Sequence, residues 1–383
     1  MKIAAIICEY NPFHNGHKYQ IKQIKKNYDA VICIMSGNFV QRGDVAITDK
    51  WTRTKAALLN GADLIVELPV CFSLNTAERF AYGGVCLADS LCVVDSLVFG
   101  SECGDIDILR NAAEILGNET GNISRKIKDN LKSGMSYPKA RYEAFAQDIP
   151  KDILCEPNNI LAIEYIKALN EIQSNIKPMT IKRYIASHND SNLTNSVTSA
   201  SAIRKLMRAN ENFCEFIPEN LSSLYNFPKS DINSLSEILC YLLMTKTAEE
   251  LSKINDVSEG LENRLKEAAK VCRTFDEISE FVKSKRFTSS RVRRILLSVI
   301  LNIDKDIAKQ RPQYIRVLGM NGTGTQVLSE IKTHSSLPII TKAADFKHYN
   351  RSFDLDIISG EIFSLIYPSA KSDYLTSPVI SFS

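Results

Sequence analysis

The first hundred residues alternate strand-length apolar runs with helix-length stretches, and this alternation narrows the possible folds more than any other feature. Residues 2–8 form an apolar run dominated by Ile and Ala, closed by the polar loop Glu9–Gly16. A lysine-rich stretch carrying Tyr19, Ile21 and Ile24 follows, and then a second apolar run over Ala30–Met35. The pattern predicts a helix from about Asp49 to Asn60, a third strand over Asp63–Glu67, a helix from about Thr76 to Ser90 and a fourth strand over Ser96–Phe99. Strands separated by helices of this length pair in parallel through crossovers, which predicts an α/β fold on a parallel sheet. Such sheets bind ligands at the carboxyl ends of their strands, beside the point where the strand order reverses. The loops after strands one, two and four are therefore where a site is expected.

The rest of the chain has a different texture. Ile106 to Asn170 reads as mainly helical, with breaks at Gly134 and Pro138, and a fifth strand fits Met179–Tyr184. A short helix follows the Ser/Thr-rich stretch Ser196–Ser201, and the character changes near Pro228. Residues 231–302 are helical in period, a strand returns at about Tyr314–Leu318, and the tail to 383 alternates short strand and helix signals. A chain of 383 residues accommodates two domains, and the boundary is placed near 225. No apolar run approaches the roughly 20 residues of a spanning helix, and no basic-then-apolar leader opens the chain. A cytosolic protein without membrane contact is expected. The ten cysteines contain no C-x-x-C pair and sit mostly in apolar segments, so reduced, buried thiols are expected rather than zinc ligands or disulfides. The net charge of +3 permits a polyanionic partner without demanding one, so any nucleic-acid footprint must be local.

The sharpest chemical signal is His14-Asn15-Gly16-His17, between the first strand and the first helix. Gly16 lets a phosphate approach the backbone, the helix N-terminus offers oriented N–H groups, and the imidazoles donate to phosphoryl oxygens. The bland alternative, two exposed loop histidines, is disfavoured by this position at a strand-to-helix turn.

The run ICEYNPFHNGH resembles the opening of the H-x-G-H nucleotidyltransferase superfamily. More narrowly, SGNFVQRGDVAITDKWTRTKAALLNGADLIVELP, AERFAYGGV, FGSECGD, EPNNILAIEYIKAL, TSASAIR, YIRVLGMNGTG and LPIITK, in that order, resemble the tRNA(Met) cytidine acetate ligase family. The resemblance implies a Rossmann-like nucleotidyltransferase domain that binds ATP and acetate over residues 1–225. It is followed by a mostly helical C-terminal domain with a small α/β tail over 226–383, expected to bind tRNA. It also implies an ATP-dependent ligase that activates acetate as acetyl-adenylate. The acetyl group then passes to N4 of the wobble cytidine of elongator tRNA(Met). A coenzyme-type adenylyltransferase, or an RNA-binding assembly factor with a regulatory nucleotide site, are the alternatives. The long second region argues against the first, and the intact His14, His17, Ser201 and Arg204 against the second.

What the resemblance implies for single residues can be set beside their own chemistry. It makes Ile7, Cys8, Glu9, Tyr10, Asn11, Pro12, Phe13, His14, Asn15, Gly16 and His17 the nucleotide-binding segment, with His14 and His17 catalytic. Lys50 and Arg53, three residues apart at a helix start, share a face and are expected to hold acetate or polyphosphate. Gly100 ends the fourth strand at the ligand edge. The family carries an ATP-contacting asparagine at Asn158 or Asn159, and the sequence does not decide between them. Arg183 is implied as an ATP contact. Ser199 to Arg204 looks like the second signature of these enzymes, with Ser201 and Arg204 suited to the β- and γ-phosphates. Mg²⁺ is expected to arrive with the phosphates, with Glu9 or Asp44 able to orient its water, and no protein metal ligand is assigned. For tRNA the basic run Lys283, Lys285, Arg286, Arg291, Arg293 and Arg294 around Phe287 is favoured. A second basic run, Arg125, Lys126, Lys128, Lys132, Lys139 and Arg141 with Tyr137 and Tyr142, is its rival.

Overall fold

The structure, a computed structural model, describes residues 1–117, 121–135, 137–145, 148–183, 198–226, 229–258 and 260–381. Tyr184, the first residues of Ser196–Ser201, and Pro228 lie outside the described residues, as do the side chains of Tyr137, Pro138 and Arg141.

Strand β1 (Ile3–Cys8) is buried along its whole length, as a strand covered on both faces must be. Its alternate residues enter two different cores, Ile3, Ala5 and Ile7 on one side and Ala4, Ile6 and Cys8 on the other. Helix α1 (Asn15–Ile24) crosses to β2 (Ala30–Ser36). The short hairpin β3 (Phe39–Val40) and β4 (Asp44–Val45) precedes α2 (Lys50–Leu58), which Asp49 caps through Trp51 N and Thr52 N. Then come β5 (Leu64–Leu68), α3 (Val70–Ser73), α4 (Ala77–Ser90) and β6 (Ser96–Ser101). Helices α5 (Ile106–Gly117), α6 (Gly121–Lys132), α7 (Tyr137–Phe145), α8 (Lys151–Cys155) and α9 (Pro157–Glu171) fill the crossover to β7 (Lys177–Lys182). These five strands run parallel in the order β5-β2-β1-β6-β7. The order reverses between β1 and β6, so the carboxyl ends of those two strands flank the expected ligand crevice.

Helix α10 (Ala200–Ala209) then leads to a helical bundle of α11 (Ser236–Thr245), α12 (Ala248–Ser252), α13 (Leu261–Val271), α14 (Phe275–Val282) and α15 (Ser289–Leu301). Its core residues Leu239, Leu265, Ile278 and Leu296 are continuous with one face of the sheet. After it come β8 (Ile315–Met320), α16 (Gly322–His334), β9 (Ile339–Ile340), α17 (Arg351–Ile366) and β10 (Val379–Ile380).

Here the structure corrects the expected split at 225. The tail is not an appendage of the helical region, because β8 pairs antiparallel with β5, while β9 and β10 pair with β8. They complete one eight-stranded sheet. The physical reason is the outer edge of β5, whose backbone groups need partners. The glycine-rich turn after β8 serves this junction: a Cβ on Gly324 would lie 1.9 Å from the Asp63 carbonyl oxygen.

The tail is locked down by a buried ion cluster, and this corrects the expectation for Lys50. Its Nζ donates to Glu67 at 2.8 and 2.9 Å and to Asp373 at 2.7 Å. Arg316 on β8 pairs with Glu67 at 3.2 Å and Asp373 at 3.0 Å. None of the four residues is more than 2% exposed, so Lys50 reaches neither solvent nor the ligand cleft described below. Two cations and two anions balance, which offsets their desolvation. Replacing Lys50 by Met leaves two carboxylates facing one cation. Urea denaturation is expected to show a loss of about 3–5 kcal/mol; a loss below about 1 kcal/mol would contradict this structural role.

Candidate active site

A cleft of about 870 Å³ opens at the carboxyl ends of β1 and β6. Its walls include Ile7 to Asn11, His14 and His17 from the first turn, Gly100 from β6, Asn158 and Tyr165 from α9, Arg183 beyond β7, and Ser201 and Arg204 from α10. Strand order, not sequence proximity, brings these residues to one place.

Its centre is the reciprocal cap of α1. His14 is the N-cap: its Nδ1 accepts from Gly16 N at 3.1 Å, while its own backbone N–H donates to His17 Nδ1 at 3.3 Å. The two rings stack with centroids 3.7 Å apart, and Tyr10 and Phe13 support His17 at 4.8 and 5.5 Å. Both Nδ1 atoms act as acceptors, so a neutral ring must carry its proton on Nε2. Burial, then the charge of Arg183, pushes the His14 imidazole down to about 3, and burial, then His14, lowers His17 as well. Both are therefore uncharged N–H donors at neutral pH.

The chain holding this turn is strained and braced. Tyr10 sits at φ +48, a left-handed conformation that a side-chain-bearing residue holds only under constraint. Phe13 N donates to Tyr225 Oη at 3.0 Å, and Arg204 Nη1 donates to Asn11 O at 2.7 Å. Asn15 turns away and bonds Glu215 O at 2.9 Å, and neither Pro12, Phe13 nor Gly16 lines the cleft.

Arg53 is corrected alongside Lys50. It is fully buried, and its guanidinium donates to the carbonyls of Thr48 at 3.2 Å, Glu9 at 2.7 Å, Ser36 at 3.0 Å, and Gly37. It ties the ends of β1 and β2 together beneath the cleft rather than reaching a ligand. The i, i+3 spacing correctly placed both side chains on one face, but that face is inward.

The two asparagines separate cleanly. Asn159 is 1% exposed, its Oδ1 accepting from Glu102 N at 3.0 Å and Cys103 N at 3.2 Å. Asn158 lines the cleft, and its Oδ1 accepts from Arg183 Nη1 at 3.4 Å. Arg183 also packs over Gly100, whose added Cβ would meet it at 3.1 Å. At α10, Ser199 is the N-cap through Ala202 N at 3.2 Å, and its hydroxyl meets that of Ser201 at 2.9 Å.

The far wall comes from the hairpin and the helical bundle. Gly43, at φ +74, lies so close to α15 that a Cβ would sit 2.7 Å from both Arg293 Cβ and Arg294 N. Arg42 at the hairpin tip and Thr288, Ser290, Arg293 and Arg294 then complete the cleft. Sequence reasoning missed Arg42, whose one signal was its position in the loop after strand two, and placed Arg293 only in the basic run expected to meet tRNA. Five guanidiniums (Arg42, Arg183, Arg204, Arg293, Arg294) face two carboxylates, Glu9 and Asp44, which suits a polyanion.

The expected RNA face needs a further correction. Arg291 pairs with Asp256 at 3.0 Å and stacks on Phe287 at 5.0 Å, and Arg294 donates to Gln41 O at 3.3 Å beside the same aspartate. Arg291 is engaged internally, and Arg294 turns to the cleft wall rather than to an outer RNA face. Lys283 pairs with Glu280 at 3.1 Å, while Lys285 and Arg286 are exposed. All ten cysteines are free thiols, six of them buried. Among the described residues no cluster of His, Cys, Asp and Glu could hold a metal, and no helix is long and apolar enough to cross a membrane.

A histidine-capped helix at the switch point of a parallel sheet, facing an arginine-rich wall, defines a nucleotide-handling transferase site. The family model described as HIGH Nucleotidyl Transferase matches residues 1–377, and the chain belongs to that family. Within it, the tRNA(Met) cytidine acetate ligase of Clostridium perfringens is 43% identical over 402 residues, covering 99% of this chain and 100% of that protein. The ligase of the same name from Thermoanaerobacter sp. is 44% identical over 390 residues, covering 97% of each. The crystal structure of Thermotoga maritima TmcAL bound with alpha-thio ATP has a TM-score of 0.89 and 32% identity, with full coverage of both chains. The apo form of that protein gives 0.90 and 33%.

The lowered imidazoles set a pH dependence. Their folded pKa values lie below the unfolded value near 6.5, so the unfolded chain takes up protons first as pH falls. Stability is undiminished above about pH 6.5 and declines as pH drops towards 3. At pH 5 the expected loss from His14 is roughly 2 kcal/mol relative to pH 7.5, and His17 adds a loss of the same sign. His14→Asn, which keeps a capping side chain, should show a smaller acid-induced loss by denaturant titration. An equal loss in wild type and variant would contradict the assignment.

Proposed function

We propose that this protein is an ATP-dependent tRNA(Met) cytidine acetate ligase. The observation that carries the reading is the pair of neutral Nε2–H imidazoles opposite an arginine wall, in a chain similar over its full length to ligases of that name. In this reading the ATP phosphates lie between His14, His17, Ser201, Arg204 and Arg183, and Asn158 contacts the nucleotide beside Gly100. An acetate oxygen attacks the α-phosphorus, and pyrophosphate leaves with the charge that the guanidiniums stabilise. The N4 amine of the wobble cytidine, position 34 of elongator tRNA(Met), then attacks the acetyl carbonyl and releases AMP, giving N4-acetylcytidine. Mg²⁺ carried by the phosphates would neutralise part of their charge, and among the described residues the cleft supplies Glu9 and Asp44 as acids. For the tRNA, exposed Lys285 and Arg286 lie just before the α15 N-terminus that opens on the cleft.

The direct test supplies ATP, labelled acetate and tRNA and follows the label. Wild type should place it in elongator tRNA(Met); label that stays in a small adenylate, with or without tRNA, would favour a coenzyme-type adenylyltransferase. His14→Ala and His17→Ala should each slow adenylate formation by about tenfold or more, and full pyrophosphate release by both would remove them from the site. Asn158→Ala should raise the KM for ATP, whereas Asn159→Ala should lower the melting temperature. Reversed outcomes would exchange their roles. Lys285→Glu combined with Arg286→Glu should weaken tRNA binding and flatten its salt dependence; unchanged tRNA titrations would move the RNA face elsewhere.

A further inference from the structure

Acyl transfer to cytidine requires a proton acceptor, because the exocyclic nitrogen must lose a proton as it becomes an amide. Apart from the arginines, the groups among the described residues lining the cleft that can gain or lose a proton are Cys8, Glu9, Tyr10, His14, His17, Asp44 and Tyr165. Most are already committed. His14 and His17 hold their Nδ1 atoms against backbone N–H groups and present N–H, not a lone pair, from Nε2. Cys8, Tyr10 and Tyr165 are driven by burial to keep their protons. Asp44 lies 3.7 Å from Arg293 and 3.5 Å from Arg208, so its charge is engaged by two guanidiniums.

Glu9 differs from all of these. It is the first residue after β1, directly before the strained Tyr10, at the switch point of the sheet. Its backbone carbonyl is fixed by Arg53 Nη1 at 2.7 Å, and its Oε1 accepts from Gln41 N at 2.8 Å. The carboxylate is thus aimed from two sides, yet no cation is hydrogen-bonded to it among the described residues, and it remains reachable from the cleft.

We propose that Glu9 is the proton acceptor of the acetyl-transfer step, an inference that rests on the ligase reading above. The carboxylate hydrogen-bonds the cytidine exocyclic amine. As the nitrogen attacks, the C–N bond forms and the acetyl C–O bond to AMP breaks. The electron pair of that bond leaves on the phosphate oxygen of AMP, and the amine proton passes to Glu9, which returns it to solvent. The surroundings suit this task. Burial raises the carboxyl above its ordinary value, and the Gln41 N–H, then Arg204 from α10, Arg42 from the hairpin and Arg53 from α2, draw it back only in part, with Tyr165 of α9 facing it as a neutral phenol. A carboxylate with a raised pKa is a better acceptor than an ordinary surface carboxylate.

The test separates the two half-reactions in the full chain. Glu9→Gln keeps an oxygen for Gln41 N but cannot take a proton. Adenylate formation is followed without tRNA by trapping acetyl-adenylate with hydroxylamine. Transfer is followed in a single turnover from preformed adenylate to elongator tRNA(Met). Transfer by Glu9→Gln should fall roughly a hundredfold to ten-thousandfold, far more than adenylate formation does. The wild-type transfer rate should rise with pH to a plateau, and the variant should lack that rise. Glu9→Asp should fall between them, and it carries the comparison if Glu9→Gln does not reach a wild-type melting temperature. Equal losses in both half-reactions would overturn the proposal and place Glu9 at the ATP step instead, for example on a magnesium-bound water. Unchanged transfer would also overturn it. A wild-type protein that forms adenylate but never labels tRNA would overturn the ligase reading and this inference with it, a result distinct from any produced by the variants alone.

Discussion

The site depends on one reciprocal hydrogen-bonded turn, in which His14 caps the helix that carries His17 and His17 in turn accepts from the His14 backbone. Capping usually falls to Ser, Thr, Asp or Asn. An imidazole in that position does more than satisfy an orphan N–H. It spends Nδ1 on the backbone and so obliges the proton to sit on Nε2. Burial keeps the ring neutral, which avoids confining two cations 3.7 Å apart. The formal positive charge that a polyphosphate needs is supplied instead by arginines on the opposite wall, where guanidiniums remain charged at any working pH.

The sheet makes that arrangement possible. Parallel pairing delivers the carboxyl ends of β1 and β6 side by side, and Arg53 draws the carbonyls after β1 and β2 onto one buried guanidinium. Beyond β5, the returning tail pairs its strands with the sheet and inserts Arg316 and Asp373 into the ion cluster around Lys50 and Glu67. The helical bundle lies between, so its last helix is held over the cleft by chain on both sides. Gly43 allows the hairpin to touch that helix at backbone distance, and Arg293 answers with a bond to Gly43 O at 3.1 Å.

Local signals carried the parallel part of this fold. The runs Ala30–Met35 and Asp63–Glu67 anticipate β2 and β5 to within a residue at either end, because a strand buried on both faces is a continuous apolar run. The H-x-G-H turn was legible because its four residues act within one helical turn. Long-range pairing was not. Nothing in Tyr314–Leu318 says that it joins β5 antiparallel, some 250 residues away, so the return of the tail to the first sheet is invisible in the sequence. Lys50, Arg53 and Arg291 misled for a second reason: charge and helical spacing define a face but not its direction. Only the tertiary position of Glu67, Asp373 and Asp256 shows that those faces point inward. The asparagine pair was undecidable for the same reason, since adjacent helical residues diverge by about 100° and either could have met the cleft.

The account turns on the protonation of two rings, and the chain carries only five histidines, so their signals can be resolved individually. The most direct measurement is ¹⁵N NMR of the imidazole nitrogens at pH 7 in the protein without nucleotide, with His14 and His17 assigned through single substitutions. Both rings should be neutral, with protonated Nε2 and unprotonated Nδ1. An imidazolium signal from either ring, or a proton on Nδ1, would contradict the geometry from which the phosphate site is built.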